Sequence, residues 1–79
     1  MIGAGIHSGD LLVVDRALAP TDNSVVIAIV NAELTVKRLS KRGGKLFLTP
    51  DNGMYEPIPI TAYTAFEVWG VVTDVIHTV

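Results

Sequence analysis

Two short, unbroken apolar runs constrain the fold of this chain most strongly: LLVV at 11–14 and VVIAIV at 25–30. Turn-forming residues precede both runs, SGD at 8–10 in the first case and PTDNS at 20–24 in the second. Short runs rich in β-branched residues between such turn signals are typical of strands buried on both faces. No window of the sequence shows the apolar periodicity of an amphipathic helix. The pattern therefore predicts an all-β protein.

The middle of the chain continues this alternation of short strands and tight turns. Asn31 and Ala32 can reverse the chain, so the second apolar run and 33–39 are predicted to form an antiparallel hairpin. The stretch 40–44 ends in two glycines and predicts a further turn into a strand over 45–49. Each of these turns joins strands that are neighbours in sequence, which favours an antiparallel sheet.

The last third of the chain also has β character. PDNG at 50–53 predicts a loop, and Pro57 and Pro59 favour an extended segment at a sheet edge. The stretch 66–79 reads as one long strand, in which Gly70 indicates a bulge or a close backbone contact. With no internal repeat and no linker, the 79 residues predict one all-β domain with a strongly bent antiparallel sheet or a partly closed barrel.

The size of the chain limits how it can be stabilised. A domain of 79 residues buries only about 60 to 65% of its unfolded surface, and the absence of cysteine excludes disulfides. Yet 49% of the residues are hydrophobic, so we expect association with a second copy or a partner to cover apolar surface. His7 and His77 lie at opposite ends of the sequence with no acidic or thiol partner at metal spacing, so we expect no metal and no cofactor.

The sequence shows no sign of a membrane or secretory segment. No run reaches the roughly 18 apolar residues of a membrane helix, and the beginning lacks the basic and then apolar pattern of a signal peptide. Together with the lack of cysteine, this pattern favours a cytoplasmic protein.

Five of the six basic residues fall within nine positions, although the net charge is −2. A nucleic-acid site needs such a patch together with aromatic or base-reading groups, and Phe47 is the one aromatic residue nearby. A solvated hairpin tip is the favoured interpretation, and we expect no direct reading of nucleic acid by this domain. The five residues are Lys37, Arg38, Lys41, Arg42 and Lys45.

Lys37 is the candidate catalytic residue. In a strand over 33–39, Glu33, Thr35, Lys37 and Leu39 share one face. Partial dehydration of a lysine penalises its ammonium form, and a neutral amine can act as general base for a serine hydroxyl. Taken from spacing alone, however, an exposed lysine beside Arg38 is the simpler interpretation. Further evidence is needed to prefer the catalytic one.

That evidence comes from motifs along the whole chain. GDLLVVDR at 9–16, VVIAIV, ELTVKRL at 33–39, TPDN at 49–52 and FEVWGVVTDVI at 66–76 occur in that order. Together they resemble the carboxy-terminal domain of the LexA/UmuD family of self-cleaving serine peptidases. GDLL followed by E-x-TVKRL at this separation is specific, although each piece alone is weak. The resemblance implies a LexA/signal-peptidase-like fold of bent antiparallel sheets with a partly closed barrel.

The resemblance also implies the roles of the reacting groups. Lys37 takes the place of the family's general base, and the family's nucleophilic serine directly precedes a methionine that corresponds to Met1. The serine would therefore precede residue 1, and the 79 residues alone should be inactive. Three serines in the chain, Ser8, Ser24 and Ser40, do not match the family motif, so we do not expect any of them to replace it.

Two further groups have plainer interpretations. Asp10 and Asp15 could form a catalytic carboxylate pair, but a turn cap and a surface residue are favoured. Trp69 and Phe66 could form a patch that binds a partner, but packing in the core or in a dimer interface is favoured for Trp69.

Three functions are compatible with these observations. The first is a mutagenesis protein of the DNA-damage (SOS) response resembling UmuD, favoured by VVD at 13–15 and VWGVV at 68–72. Its processed form would dimerise and serve as accessory subunit of an error-prone translesion DNA polymerase. The second is the dimerisation and self-cleavage domain of a LexA-like repressor. The third is a small β-barrel interaction module with an accidental similarity. For the first two, the resemblance implies a homodimer, and cleavage stimulated by the recombinase filament on single-stranded DNA.

Overall fold

The computed structural model describes residues 5–50 and 57–77, and these residues form six strands. Every strand pairing is antiparallel, in the order β1-β6-β2-β3-β4-β5. This architecture confirms the prediction of an all-β antiparallel fold. The strands are β1 (Leu11–Asp15), β2 (Val25–Val30), β3 (Glu33–Arg42), β4 (Lys45–Thr49), β5 (Ile58–Ile60) and β6 (Phe66–Ile76).

The sheet is open rather than partly closed, because β1 and β5 are its two edges and do not pair with each other. The central strand β2 is buried on both faces as predicted, with Val26 and Ile27 at most 8% exposed. The same prediction for β1 is wrong, since Leu11 is 58% and Val13 43% exposed. An apolar run does not reveal whether its strand lies in the centre of a sheet or at its edge. Strand β1 is an edge strand, and no described residues cover the face that carries Leu11 and Val13.

Two tight hairpin turns set the register of the central strands. Asn31 and Ala32 have φ values of 48° and 69°, as a type I′ turn requires, and they join β2 to β3 as predicted. Gly43 and Gly44, with φ values of 55° and 77°, join β3 to β4. The predicted turn over 40–44 is shorter in the structure, because β3 continues pairing with β4 up to its last residue.

The predicted irregularity near Gly70 is confirmed as a bulge, and the close neighbour of Gly70 is a side chain. The register between β2 and β6 shifts between Ile27 and Ala28, so that Trp69 has no partner and a bulge forms. A Cβ atom at residue 70 would overlap the side chain of Val14 on the neighbouring strand β1. A glycine is therefore needed here to let β1 and β6 approach each other.

One face of the sheet carries the core, and we call it the core face. The cross-strand pairs Val26–Val71 and Leu39–Leu48 place their side chains on this face. All four side chains are at most 5% exposed. Partly buried residues surround this cluster and Ala28: Val30, Leu46, Ile60, Phe66 and Val68.

Some predictions concern residues outside the described part of the chain. They are the position of Met1, most of the loop at 50–53 and the last two residues of the predicted strand 66–79. Within the described ranges, no helix has the length and hydrophobicity needed to cross a membrane.

Candidate functional site

Lys37 lies on the core face of the sheet. It is the cross-strand partner of Val26, which is fully buried, and Thr35 is the partner of Ala28. Leu39 follows on the same face and is 2% exposed. The prediction that Lys37 shares one face of β3 with Thr35 and Leu39 is therefore confirmed. An amine in this position projects from an apolar surface rather than from a solvated hairpin tip.

Hydrogen bonds hold the Lys37 amine in place. Its Nζ atom donates to the Thr35 hydroxyl at 2.9 Å and to the Val36 carbonyl oxygen at 3.3 Å. Both acceptors are neutral, the side chain is half-buried, and no ion pair joins Lys37 to a carboxylate among the described residues. Glu33 lies on the same face without reaching the amine.

An open cleft of about 530 Å³ lies beside the amine. Its walls combine apolar side chains from three strands with a few polar groups from β3 and the β2–β3 turn. The outer edge of β5, which carries Ile58, has no strand partner in the described part of the chain. An extended peptide could pair with such an edge through its backbone. The lining residues are Val30, Asn31, Glu33, Thr35, Lys37, Leu48 and Ile58.

None of the three serines in the chain contacts Lys37. Ser8 is exposed in the turn before β1, and the Ser24 hydroxyl accepts a hydrogen bond from the Thr21 backbone N–H at 2.9 Å. Ser40 lies on the opposite face of β3, as predicted, with its hydroxyl 3.1 Å from that of Thr49. The arrangement supplies a positioned amine and a cleft, and a hydroxyl would have to come from elsewhere. The catalytic role of Lys37 stays a prediction.

A second cluster of ionisable groups was missed by the sequence analysis. Asp10 and His77 form an ion pair, with 2.8 Å between Oδ2 and Nδ1, and the His7 and His77 rings lie 5.6 Å apart. The sequence spacing of the two histidines did not predict this ion pair. Pairing of β1 with β6 brings the two ends of the sequence together, and nothing in the local sequence signals such a contact.

Asp10 caps a turn, as predicted. Its carboxylate accepts a hydrogen bond of 2.8 Å from the His7 backbone N–H, and its own N–H donates to the His7 carbonyl oxygen. The His7 N–H and then the His77 ring lower the pKa of the Asp10 carboxyl below its ordinary value of 3.8. These contacts tie the segment before β1 to the end of β6.

Asp15 and Trp69 also have structural roles. Asp15 is exposed, and its carboxylate accepts hydrogen bonds from the backbone N–H groups of Ala17 and Leu18. Trp69 is 36% exposed rather than buried in the core, because it occupies the bulge of β6. The Arg16 guanidinium lies 4.1 Å above its ring and donates to its carbonyl oxygen. Among the described residues, no group of three or more His, Cys, Asp or Glu side chains could hold a metal ion.

Comparison with known proteins supports the resemblance seen in the motifs. The model of a family described as Peptidase S24-like matches residues 1–73. The chain is 42% identical over 71 residues to LexA repressor 2 of Pseudomonas syringae pv. tomato, covering 90% of this chain and 35% of that protein. It is 37% identical over 78 residues to the LexA repressor of Bordetella pertussis, covering 99% of this chain and 36% of that protein.

A third relative shows similar identity and coverage. Identity to the LexA repressor of Syntrophotalea carbinolica is 40% over 77 residues, covering 98% of this chain and 38% of that protein. The chain thus spans little more than a third of the length of these curated relatives.

Proposed function

This chain belongs to the LexA/UmuD family of Peptidase S24-like, self-cleaving peptidases, and from that premise we propose that it is the carboxy-terminal self-cleavage domain of a LexA-type repressor of the SOS response. Lys37 is the general base of the cleavage. In the parent polypeptide, the nucleophilic serine directly precedes residue 1.

The position of Lys37 carries this proposal. The amine projects from the core face beside an open cleft, and hydrogen bonds to the neutral oxygens of Thr35 and Val36 orient it. A lysine extended into solvent would have neither the adjoining cleft nor these hydrogen bonds.

The chemistry follows from these groups. The neutral Lys37 amine takes the proton of the serine hydroxyl while the serine oxygen attacks a peptide carbonyl carbon. The resulting ammonium then returns that proton to the departing amine as the C–N bond breaks. Water, deprotonated by the same lysine, hydrolyses the acyl-serine ester and regenerates both residues. Backbone N–H groups near the serine would stabilise the oxyanion.

The substrate is a segment of the same parent chain. An extended stretch upstream of the serine, with a small residue and a glycine at the cut, would lie in the cleft between Lys37 and β5. The apolar walls formed by Leu48 and Ile58 suit such a segment, and the edge of β5 offers backbone groups for pairing. The recombinase filament on single-stranded DNA would stimulate the docking of this segment.

A homodimer is part of the proposal. Leu11 and Ile76 are cross-strand partners and are 58% and 51% exposed, and Val13 lies on the same face of β1. Exposed apolar residues that cluster at a sheet edge favour contact with a second copy. In the repressor, an upstream domain would bind DNA, and dimerisation through this domain would pair two such domains.

A UmuD-like mutagenesis protein is the second candidate. The VVD segment at 13–15 and VWGVV at 68–72 favour it, whereas the relatives described above are named LexA repressors. Its processed form would dimerise and act as accessory subunit of an error-prone DNA polymerase. The chemistry at Lys37 would be the same in both candidates.

The parent polypeptide tests the proposal in two steps. Sequencing the gene upstream of codon 1 should reveal a serine codon immediately before it, and a helix-turn-helix domain further upstream. A short tail of a few tens of residues in place of that domain would support the mutagenesis protein instead. The purified parent should then cut itself slowly at alkaline pH. A parent without the serine, or one that stays intact, would refute the self-cleavage function.

A further inference from the structure

The β3–β4 hairpin presents positive charge on one side of the sheet. Its register alternates between core pairs such as Leu39–Leu48 and pairs on the other side such as Arg42–Lys45. We call this second side the hairpin face. It is defined by Arg38, Ser40 and Arg42 on β3 and by Lys45, Phe47 and Thr49 on β4.

Two of these cations lie in an arrangement that is unfavourable without a ligand. Arg42 and Lys45 are direct cross-strand partners and both are exposed. Like charges in this position repel each other. No carboxylate of the described residues forms an ion pair with either side chain. Gly43 and Gly44 form the tip beside them, and the space above both glycines is open.

An aromatic ring adjoins this pair of charges. Phe47 is half-buried, and Arg42, Phe47, Thr49 and Pro57 line a small cavity of about 60 Å³. A cation next to an accessible aromatic side chain is the combination on which proteins bind single-stranded nucleic acid, through phosphate contacts and base stacking. Neither group is used by the chemistry at Lys37, which lies on the opposite face of the sheet.

We propose that the hairpin face binds single-stranded nucleic acid without sequence preference, with Arg42 and Lys45 on phosphates and Phe47 stacked on a base. The sequence alone favoured a solvated tip, because Phe47 was a single nearby aromatic residue. The strand register favours a binding site instead, because it places that ring on the same face as three of the five clustered cations. An acidic peptide would satisfy the charges but would leave the ring without a role. The site does not depend on the proposed peptidase function.

Fluorescence anisotropy of a labelled oligothymidylate, titrated with the 79-residue chain, tests whether the charged side chains bind phosphates. Two cations in contact with phosphates predict that log K falls with log salt with a slope of about −1.4. Arg42→Ala should reduce the slope by about 0.7 and weaken binding, whereas Lys41→Ala should change neither. Lys41 is the matched control because it is an exposed neighbour on the other face of β3. Equal effects of the two substitutions, or no binding at 50 mM salt, would overturn the proposal.

A second comparison tests the aromatic ring. Phe47→Leu keeps an apolar side chain and should weaken binding of oligothymidylate about tenfold, within the range of base–aromatic stacking. The same substitution should not alter binding of an abasic oligonucleotide of equal charge. Thermal unfolding followed by circular dichroism verifies that each variant is folded. If polyglutamate binds as well as the oligonucleotide and Phe47→Leu changes nothing, the face is a site for acidic peptides and the proposal is wrong.

Discussion

The Lys37 amine donates a hydrogen bond of 2.9 Å to the Thr35 hydroxyl, two residues earlier on the same face of β3. This contact holds the long lysine side chain against the sheet instead of letting it extend into solvent. The Val36 carbonyl oxygen provides a second acceptor at 3.3 Å. The orientation of the proposed base therefore depends on a side chain that takes no part in the chemistry.

Replacing Thr35 by valine should slow self-cleavage of the parent polypeptide. Valine keeps the β-branched shape and removes the hydroxyl, so the amine loses one acceptor while the strand is preserved. A neutral hydrogen bond contributes about 1 kcal/mol, which corresponds to a loss of about fivefold in rate. Single-turnover cleavage followed on gels measures the effect. A rate equal to that of the wild type would show that this hydrogen bond does not position the base.

Gly70→Ala should destabilise the domain, because the new methyl group would overlap the Val14 side chain. Overpacking of this kind costs about 1 to 3 kcal/mol. Urea denaturation measures the loss, and the double variant Gly70→Ala/Val14→Ala is the control. The smaller side chain at residue 14 should recover part of the stability lost at residue 70. Strict additivity of the two single changes would argue against the close contact of β1 and β6.

The core face should dominate the stability of the sheet. Leu39→Ala should cost about 2 to 5 kcal/mol, because Leu39 is 2% exposed and packs opposite Leu48. Leu34→Ala is the matched control on the same strand, since Leu34 is 68% exposed on the opposite face. Its effect on the free energy of unfolding should be below about 0.5 kcal/mol. Similar losses for the two variants would contradict the assignment of the core to one face.

The contacts of Asp10 predict a loss of stability in acid. The His7 N–H and then His77 lower the pKa of Asp10 in the folded state. The ionised Asp10 therefore contributes fully to the free energy of unfolding above pH 3.8, and this contribution disappears as the pH falls through the lowered pKa. Asp10→Asn keeps an acceptor but removes the charge. The wild type should therefore be more stable than the variant at pH 5, and the difference should shrink towards pH 3. Urea midpoints that differ equally at both pH values would contradict this linkage.

Local sequence signals predicted most of the sheet. The valine and isoleucine strands, the Asn31–Ala32 turn and the bulge beside Gly70 lie where the pattern indicated, because each depends on neighbours in sequence. The face shared by Thr35 and Lys37 was equally predictable, because side chains alternate along a strand. The cleft beside them was not, since it needs the positions of Leu48 and Ile58 on other strands.

The errors concern relationships that only the tertiary structure decides. Strand order placed β1 at an edge, so Leu11 is exposed although its run resembles that of the central strand. The same pairing of β1 with β6 joined His77 to Asp10 across nearly the whole sequence. Trp69 lies outside the core with Arg16 above its ring, so the alternative of packing in a dimer interface stays a prediction.

Self-cleavage of the parent polypeptide carrying Lys37→Ala tests the central claim most directly. We predict that the wild-type parent is cut into two fragments at a rate that rises with pH, and that Lys37→Ala yields no product at any pH. Lys41→Ala removes an exposed lysine four residues away on the same strand and should cleave at the wild-type rate. If the Lys37→Ala parent still cuts itself, the amine at residue 37 is not the base.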